Sequence, residues 1–346
     1  MQTKPMSKEL RNIDVVVPCF NEEQNVGQFY KEMQALSSQI GEEGDFAYEY
    51  CLRYIFVDDG SSDGTLDEIK EVSRQAVNDL TIVKYISFSR NFGKEAAMYA
   101  GLRESIYPKS SGEHSSAADY TVIMDCDLQH PPQVIIDMIA RLEETDCDCV
   151  AARRVNRKGE PAIRSIFARA FYKIMNRYCD IDIVDGAVDF RIMTRRMAKA
   201  LADMPETQRF SKGLFAWVGF DTQWVEFENA TRIRGESKWN VWTLTKYAIA
   251  GFIDFADSPL KFTGVFGGVV SAGSLIYFIV VILKTLIAGK DTPGYASTIC
   301  LILFFGGMIV AILSIIGQYI GRMYMETKSR PIYIEKESNT DEANEH

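Results

Sequence analysis

The sequence predicts an α/β fold: a largely parallel sheet covered by helices on both faces, followed by a C-terminal part directed at a membrane. Three observations carry this. Over the first 230 residues, short β-rich runs alternate with helical segments, the pattern of parallel strands joined by crossover helices. Three apolar strands run straight into polar, acidic loops. Two long stretches near the C-terminus hold no charged residue.

The elements follow in order. Strands are expected at Ile13–Val17, Leu52–Val57, Ile82–Ile86 and Tyr120–Met124, with helices at Glu22–Ile40, Thr65–Val77, Lys94–Ser105 and Pro132–Glu143 between them. Ser110–Ala118, small and polar, reads as a surface loop. From Arg153 the chain turns basic, through Arg154, Arg157, Lys158, Arg164, Arg169, Lys173 and Arg177. Ala162–Tyr178 can form a helix with Arg164, Ala168 and Phe171 on one face. Trp239–Leu260 mixes Trp242, Ile249 and Phe252 with Lys246, Asp254 and Asp257. That pattern suits an amphipathic helix at a membrane interface; a helix packed on the soluble domain is the alternative.

Phe262–Leu283 and Thr292–Gly321 are the uncharged stretches, each long enough to cross roughly 30 Å of hydrocarbon as a helix. Their glycines suit close packing of two membrane helices, and the short link Lys284–Asp291 makes an antiparallel hairpin. Lys246 and Lys261 before the pair, and Arg322, Lys328, Arg330 and Lys336 after it, place both flanks in the cytoplasm. The expected division is a soluble domain over 1–230, juxtamembrane helices over 231–261, two spans over 262–321 and a cytosolic tail over 322–346. The tail beyond Lys336 is expected to be disordered. The expected location is the plasma membrane, the inner one in a double-membraned cell, with multiple spans and a cytoplasmic catalytic domain.

Composition narrows the partners. A net charge of -9 argues against a nucleic-acid-binding surface. Seven cysteines lie scattered without a C-x-x-C pair, as reduced thiols do. The polar segment Met1 to Asp14 has no apolar core of a signal peptide. No G-x-G-x-x-G follows the first strand and no Walker lysine loop occurs, which disfavours dinucleotide and P-loop chemistry.

The most informative stretch is Asp125-Cys-Asp127-Leu-Gln129-His-Pro131-Pro132, directly after the fourth strand. Alternate residues of an extended chain point the same way, so Asp125 and Asp127 can converge. Hard oxygens there suit Mg²⁺ or Mn²⁺ held jointly with a substrate's phosphates. The loops Pro18–Glu23 and Asp58–Gly64 share that sheet edge, where ligands of parallel sheets bind. Asp58 or Asp59 could accept a hydrogen bond from a base N–H, or cap a helix. Phosphate-bearing ligands explain both signs of charge: a metal-masked diphosphate on the acidic side, bare phosphate on the arginine side.

These residues carry a resemblance. Pro18-Cys-Phe20-Asn21-Glu22, Val57-Asp58-Asp59-Gly60-Ser61, Asp125-Cys-Asp127-Leu-Gln129-His-Pro131-Pro132 and Arg234-Gly-Glu-Ser-Lys238-Trp239 resemble the family 2 glycosyltransferases of GT-A fold. The closer likeness is to the polyprenyl-phosphate branch, with its bactoprenol glucosyltransferases and dolichol-phosphate mannose synthases. Ser89–Lys94, Asp185–Arg191, the hairpin and Arg330-Pro331-Ile332-Tyr333 extend it over roughly Ile13 to Ile334. Cys126 departs from the alanine more usual in that motif.

The resemblance implies inverting sugar transfer from a nucleotide sugar to the phosphate of a membrane polyprenol such as undecaprenyl phosphate. Glucose from UDP-glucose is the expected donor; UDP-N-acetylglucosamine and GDP-mannose, or a non-enzymatic membrane-tethered scaffold, are the alternatives. It implies that Pro18, Phe20 and Glu22 line the nucleotide pocket with Asp58 or Asp59. Asp125, Asp127 and Gln129 would hold the metal and the donor diphosphate. Arg153 or Arg154, and Arg164, would clamp the acceptor phosphate, with Arg209 and Lys238 helping to close the site. Membrane lipid is the implied surroundings, and a homo-oligomer, a tetramer as in some relatives, the implied assembly.

Overall fold

The structure is a computed structural model describing residues 8–43, 46–76, 81–109, 116–154, 184, 186–207, 209–227 and 294–340, with scattered residues between 266 and 287. Eight strands form one sheet: β1 (Leu10–Cys19), β2 (Glu49–Asp58), β3 (Ile82–Phe88), β4 (Tyr120–Ile123), β5 (Cys149–Arg154), β6 (Ala187–Thr194), β7 (Thr222–Phe227) and β8 (Glu335–Ser338). Their order is β7-β5-β6-β4-β1-β2-β3-β8. β1 runs parallel to β2 and β4, β2 to β3, and β5 to β7. Only β6 and β8 oppose their neighbours. The chain walks outward from β1 to β3, then returns to place β4 on the other side of β1. That reversal opens a crevice at the strands' carboxyl ends.

Strand alternation divides the core. Ile13, Val15 and Val17 of β1 face one layer with Leu52, Tyr54 and Phe56 of β2. There they meet α1 (Val26–Glu43), α2 (Thr65–Gln75) and α4 (Val134–Thr145) through Phe29, Met33, Ile69, Ile135 and Met138. Val16, Ile55 and Val57 face the other layer, packing on α3 (Lys94–Ile106), α5 (Arg195–Ala202) and α6 (Ser211–Trp217). Fully burying each large apolar side chain contributes about 1.5–3 kcal/mol. Two ion pairs are buried as well: Asp14 with Arg53, directly opposite on β1 and β2, and Lys84 with Glu104. Arg53 also donates to the Ser116 carbonyl at 2.9 Å, so its guanidinium is not left half-satisfied.

The expected strands and helices between Ile13 and Glu143 all form, with ends shifted by a few residues. The largest shift is at α1, which starts at Val26, because Asn21 and Glu22 are drawn into the first loop instead. The second uncharged stretch is the helix α7 (Tyr295–Thr327), and Phe304–Thr327 is long and apolar enough to cross a membrane. Ile302, Phe304 and Val310 on it stand exposed. The first stretch and the juxtamembrane segment lie largely or wholly outside the described residues, as do Arg164 and Lys238.

One expectation is corrected. Directly after Lys336 the described chain, up to Thr340, is ordered: Glu335–Ser338 is an antiparallel strand on the edge of β3. Nothing in Glu-Lys-Glu-Ser favours a strand by propensity. The pairing rests on backbone bonds to an otherwise open edge and on the ion pairs Lys70–Glu337 and Lys109–Glu335. Asn339 finishes it, accepting from the Tyr85 N–H at 2.7 Å and donating to the Val83 carbonyl at 3.0 Å.

Gly101 lets α3 approach β1: a Cβ there would lie 2.2 Å from Val16 Cγ1. Gly101→Ala gains up to about 1 kcal/mol in helix propensity. Overpacking a stiff buried valine costs about 1–3 kcal/mol, so we expect net destabilisation, measured as a lower denaturant midpoint with unchanged slope.

Candidate active site

The carboxyl ends of β1, β2 and β4 finish side by side. Cys19 pairs with Asp58 in register, the Asp59 N–H donates to the Cys19 carbonyl at 2.9 Å, and the Met124 N–H to the Val16 carbonyl at 3.1 Å. Side chains lace the first two loops together: the Asn21 N–H donates to Ser61 Oγ (2.9 Å), the Ser62 N–H to Asn21 Oδ1 (2.9 Å) and the Glu22 N–H to Thr65 Oγ1 (2.8 Å). Asn21 and Gly60 both take positive φ. At Gly60 a side chain is excluded outright, since a Cβ would meet the Arg90 backbone at 2.3 Å. Phe20 projects from this edge, exposed, with Pro18 and Glu22 partly covered on either side of it.

Asp58 and Asp59 are buried and engaged in holding loops. Asp58 accepts from the Ser61 N–H at 3.0 Å and the Ser87 hydroxyl at 2.8 Å. Asp59 accepts from the N–H groups of Phe92 (2.6 Å) and Gly93 (2.9 Å). Burial raises the Asp59 carboxyl above the ordinary value, although those two N–H groups oppose the shift. Both aspartates therefore build the floor of the crevice, whatever lone pairs they also offer a ligand.

Asp125 and Asp127 follow β4 as expected, and Asp125 already holds a cation. Lys94 Nζ lies 2.6 Å from Asp125 Oδ1 and 2.9 Å from Asp189 Oδ2. Burial works against the Asp189 charge, but Lys94, with Lys212 and Arg191 behind it, holds that carboxyl well below the usual range. Its surroundings oppose the Lys94 charge too, and the two carboxylates outweigh them, raising it above an ordinary lysine. The Asp127 carboxylate accepts from the Gln129 N–H at 3.2 Å, across a turn with Leu128 at positive φ. That turn is pinned by His130, buried and stacked on Phe190 (5.3 Å) with its edge to Phe227 (5.3 Å). Burial lowers the His130 pKa, despite Asp125 and Asp127 nearby.

Topology brings the arginines to the same edge. β6 opposes both β4 and β5, so the carboxyl end of β5, with Arg153 and Arg154, lies level with that of β4 and with Asp189 at the start of β6. Arg153 is exposed; the Arg154 N–H donates to the Gly186 carbonyl at 3.0 Å. Arg209 is not so placed, which corrects its expected role. It is buried, donating to the carbonyls of Met204 (2.5 Å) and Leu201 (3.1 Å), with its guanidinium 4.5 Å from the Tyr99 ring centre. Its donors tie the end of α5 to α3 instead of opening onto a phosphate.

Sequence reasoning missed the parts played by Lys94 and Asp189. A signal was available for Lys94: a cation at a helix N-terminus opposes the macrodipole and needs carboxylates to justify it. Asp189, the one acid in the strand Ala187–Thr194, is such a partner.

The pattern of Glycosyl transferase family 2 matches residues 14–202, from within β1 through β6 and α5. The chain belongs to this family. Its sheet is of the GT-A type, mixed and mostly parallel, and it is a glycosyltransferase. CsbB of Bacillus subtilis (strain 168) is 40% identical over 330 residues, 94% of this chain and 92% of its own length. The prophage bactoprenol glucosyl transferase homolog of Escherichia coli (strain K12) is 37% identical over 324 residues, covering 94% and 98%. The bactoprenol glucosyl transferase of Shigella phage SfII is 36% identical over 327 residues, with the same coverage. Among solved structures, the mannosyltransferase PcManGT of Pyrobaculum calidifontis overlaps with a TM-score of 0.42 at 13% identity, over 84% of this chain and 92% of that one.

The donor set fits a divalent ion brought with substrate phosphates. Asp125 already binds a cationic group in a site open to water. Among the described residues no three His, Cys, Asp or Glu side chains close into a metal cage. An ion shared between one or two carboxylates and a diphosphate needs no such cage.

His130 supplies a pH test. A histidine whose folded pKa is lowered takes up its proton first in the unfolded chain, so stability is intact above about pH 6.5 and falls below it, by at most about 1.4 kcal/mol per pH unit. His130→Phe keeps the stack and should flatten the fall in denaturant midpoint between about pH 7 and pH 5.

Proposed function

We propose that this glycosyltransferase moves a hexose, with inversion, from a nucleotide sugar to the phosphate of a membrane polyprenol of the undecaprenyl type, and that the donor is UDP-glucose. The observation that carries the reading is the charge pattern of one sheet edge. Acidic loops at β1, β2 and β4 face arginines at the end of β5, as a reaction between two phosphate-bearing substrates requires. The full-length likeness to bactoprenol glucosyl transferases supports both acceptor and sugar. An apolar helix long enough to cross a bilayer supports a membrane-held enzyme, with the catalytic domain on the cytoplasmic side.

The work left to the protein is alignment and charge. A phosphate monoester is largely ionised near neutral pH, so its oxygen attacks the anomeric carbon without a strong general base. Pro18, Phe20 and Glu22 line the nucleotide end. Asp125 and Asp127, with Gln129, would hold Mg²⁺ or Mn²⁺, which would supply charge neutralisation for the departing diphosphate. Arg153, with Arg154 and Arg164 after it, holds the acceptor phosphate against the repulsion of the donor. Lys94 keeps Asp125 and Asp189 together as a preformed counter-charge and stands beside the diphosphate position.

Membranes containing the protein, supplied with undecaprenyl phosphate and a panel of nucleotide sugars, should yield a hexosyl-phosphate lipid by mass from UDP-glucose; a product only from another donor would replace glucose in this reading. Asp127→Ala should lose transfer by about 10²-fold or more while membrane extraction behaviour stays unchanged. Arg153→Ala should raise the polyprenyl-phosphate concentration needed for half-maximal rate by about tenfold or more, leaving the nucleotide-sugar KM near its starting value.

A further inference from the structure

The segment that follows α7 does more than close an edge. Tyr333 lays its ring on Phe88, centroids 4.7 Å apart and planes at 18°. Phe88 meets Phe92 edge-on at 5.8 Å. Phe92 and Gly93 carry the two N–H groups held by Asp59, and Gly93 turns at φ +101° directly into Lys94. Tyr333 also touches Tyr99, one turn further along α3, at 6.4 Å, and the Ile334 carbonyl accepts the Ser89 N–H at 2.9 Å. A second contact arises at the end of α7. Glu326 accepts from the Thr207 N–H at 3.1 Å. Thr207 opens the loop to Ser211, whose N–H donates to Glu95 at 3.1 Å. Both contacts of this C-terminal segment thus converge on consecutive residues, Lys94 and Glu95.

We infer that Tyr333 is a positioning residue for Lys94, acting through the Phe88–Phe92 pair to fix the turn from which the lysine reaches Asp125 and Asp189. The ring is the active feature: a flat aromatic face fills the space beside Phe88, and stacked and edge-on pairs have defined geometry that an aliphatic side chain lacks. A turn with positive φ at Gly93 has no side chain of its own to hold it. Its angle depends on Asp59 from one side and on the aromatic stack from the other. Loss of the stack should loosen the turn locally while the parallel strands, with their own core, stay closed.

The test uses the full-length protein in membranes or detergent, with Tyr333→Phe, Tyr333→Ala and, as a control at the far end of the strap, Glu337→Ala. Amide hydrogen exchange is read at Phe92–Lys94 and at β1. In Tyr333→Ala we expect exchange at Phe92 and Gly93 about tenfold faster with β1 unchanged. With a nucleotide sugar as substrate, kcat should fall about tenfold while KM for that sugar moves little, since misplacing a reacting group costs rate. Tyr333→Phe should restore both, and Glu337→Ala should leave both as they were. Unchanged protection at Phe92 and Gly93 in Tyr333→Ala, or a Tyr333→Phe variant as impaired as Tyr333→Ala, overturns the assignment. If β1 loosens as well, Tyr333→Leu is read instead: it keeps apolar volume without the flat face, and wild-type exchange with wild-type kcat there overturns it equally. The exchange readout does not depend on which sugar or acceptor is used, so failure of the functional reading is distinguishable from failure of this one.

Discussion

A single ammonium group joins three remote parts of the chain. Lys94, at the start of a helix, sits between the carboxylate after β4 and the carboxylate at the head of β6. Without it, two acids would face each other in a partly covered crevice, and like charges so placed resist ionisation together. The lysine removes that conflict, and it holds the Asp189 carboxyl well below the usual carboxylate range. Everything that fixes its origin becomes part of the site: Asp59 under the preceding turn, Gly60 against Arg90, and the aromatic stack beside Phe92. The electrostatics of the crevice are therefore set by backbone geometry several residues away from the carboxylates.

The sheet explains why so few residues suffice. Because β1, β2 and β4 are parallel neighbours, three loops far apart in sequence open at one edge with no further effort. Because β6 reverses, the end of β5 returns to the same edge and carries Arg153 with it. Acidic and basic groups are collected by topology, and their separation across β6 keeps them from cancelling.

Much of this was legible in the sequence. Unbroken Val, Ile and aromatic runs ending in acidic loops are a strong signal, since strands buried on both faces tolerate little else. The same logic put Asp125 and Asp127 directly after the fourth strand, where they lie. What could not be read was which polar groups serve the fold and which face a ligand. Asp58 and Asp59, readable as ligand contacts or as a helix cap, also brace turns, and Arg209, read as a clamp, ties carbonyls to an aromatic ring. Such distinctions depend on side-chain direction after the loops close. The strand at Glu335–Ser338 was hidden for another reason: its stability comes from a partner some 250 residues earlier, and its own composition is that of a solvated tail.

That last pairing has a consequence for how the molecule is made. β8 leaves the ribosome long after β3, and after α7 as well. Until α7 has been synthesised, the outer edge of β3 offers its backbone groups to any passing strand, a recognised route to wrong association. The sheet is thus closed on that side only after the long apolar helix has been made, so the order of synthesis ties its last pairing to the presence of α7.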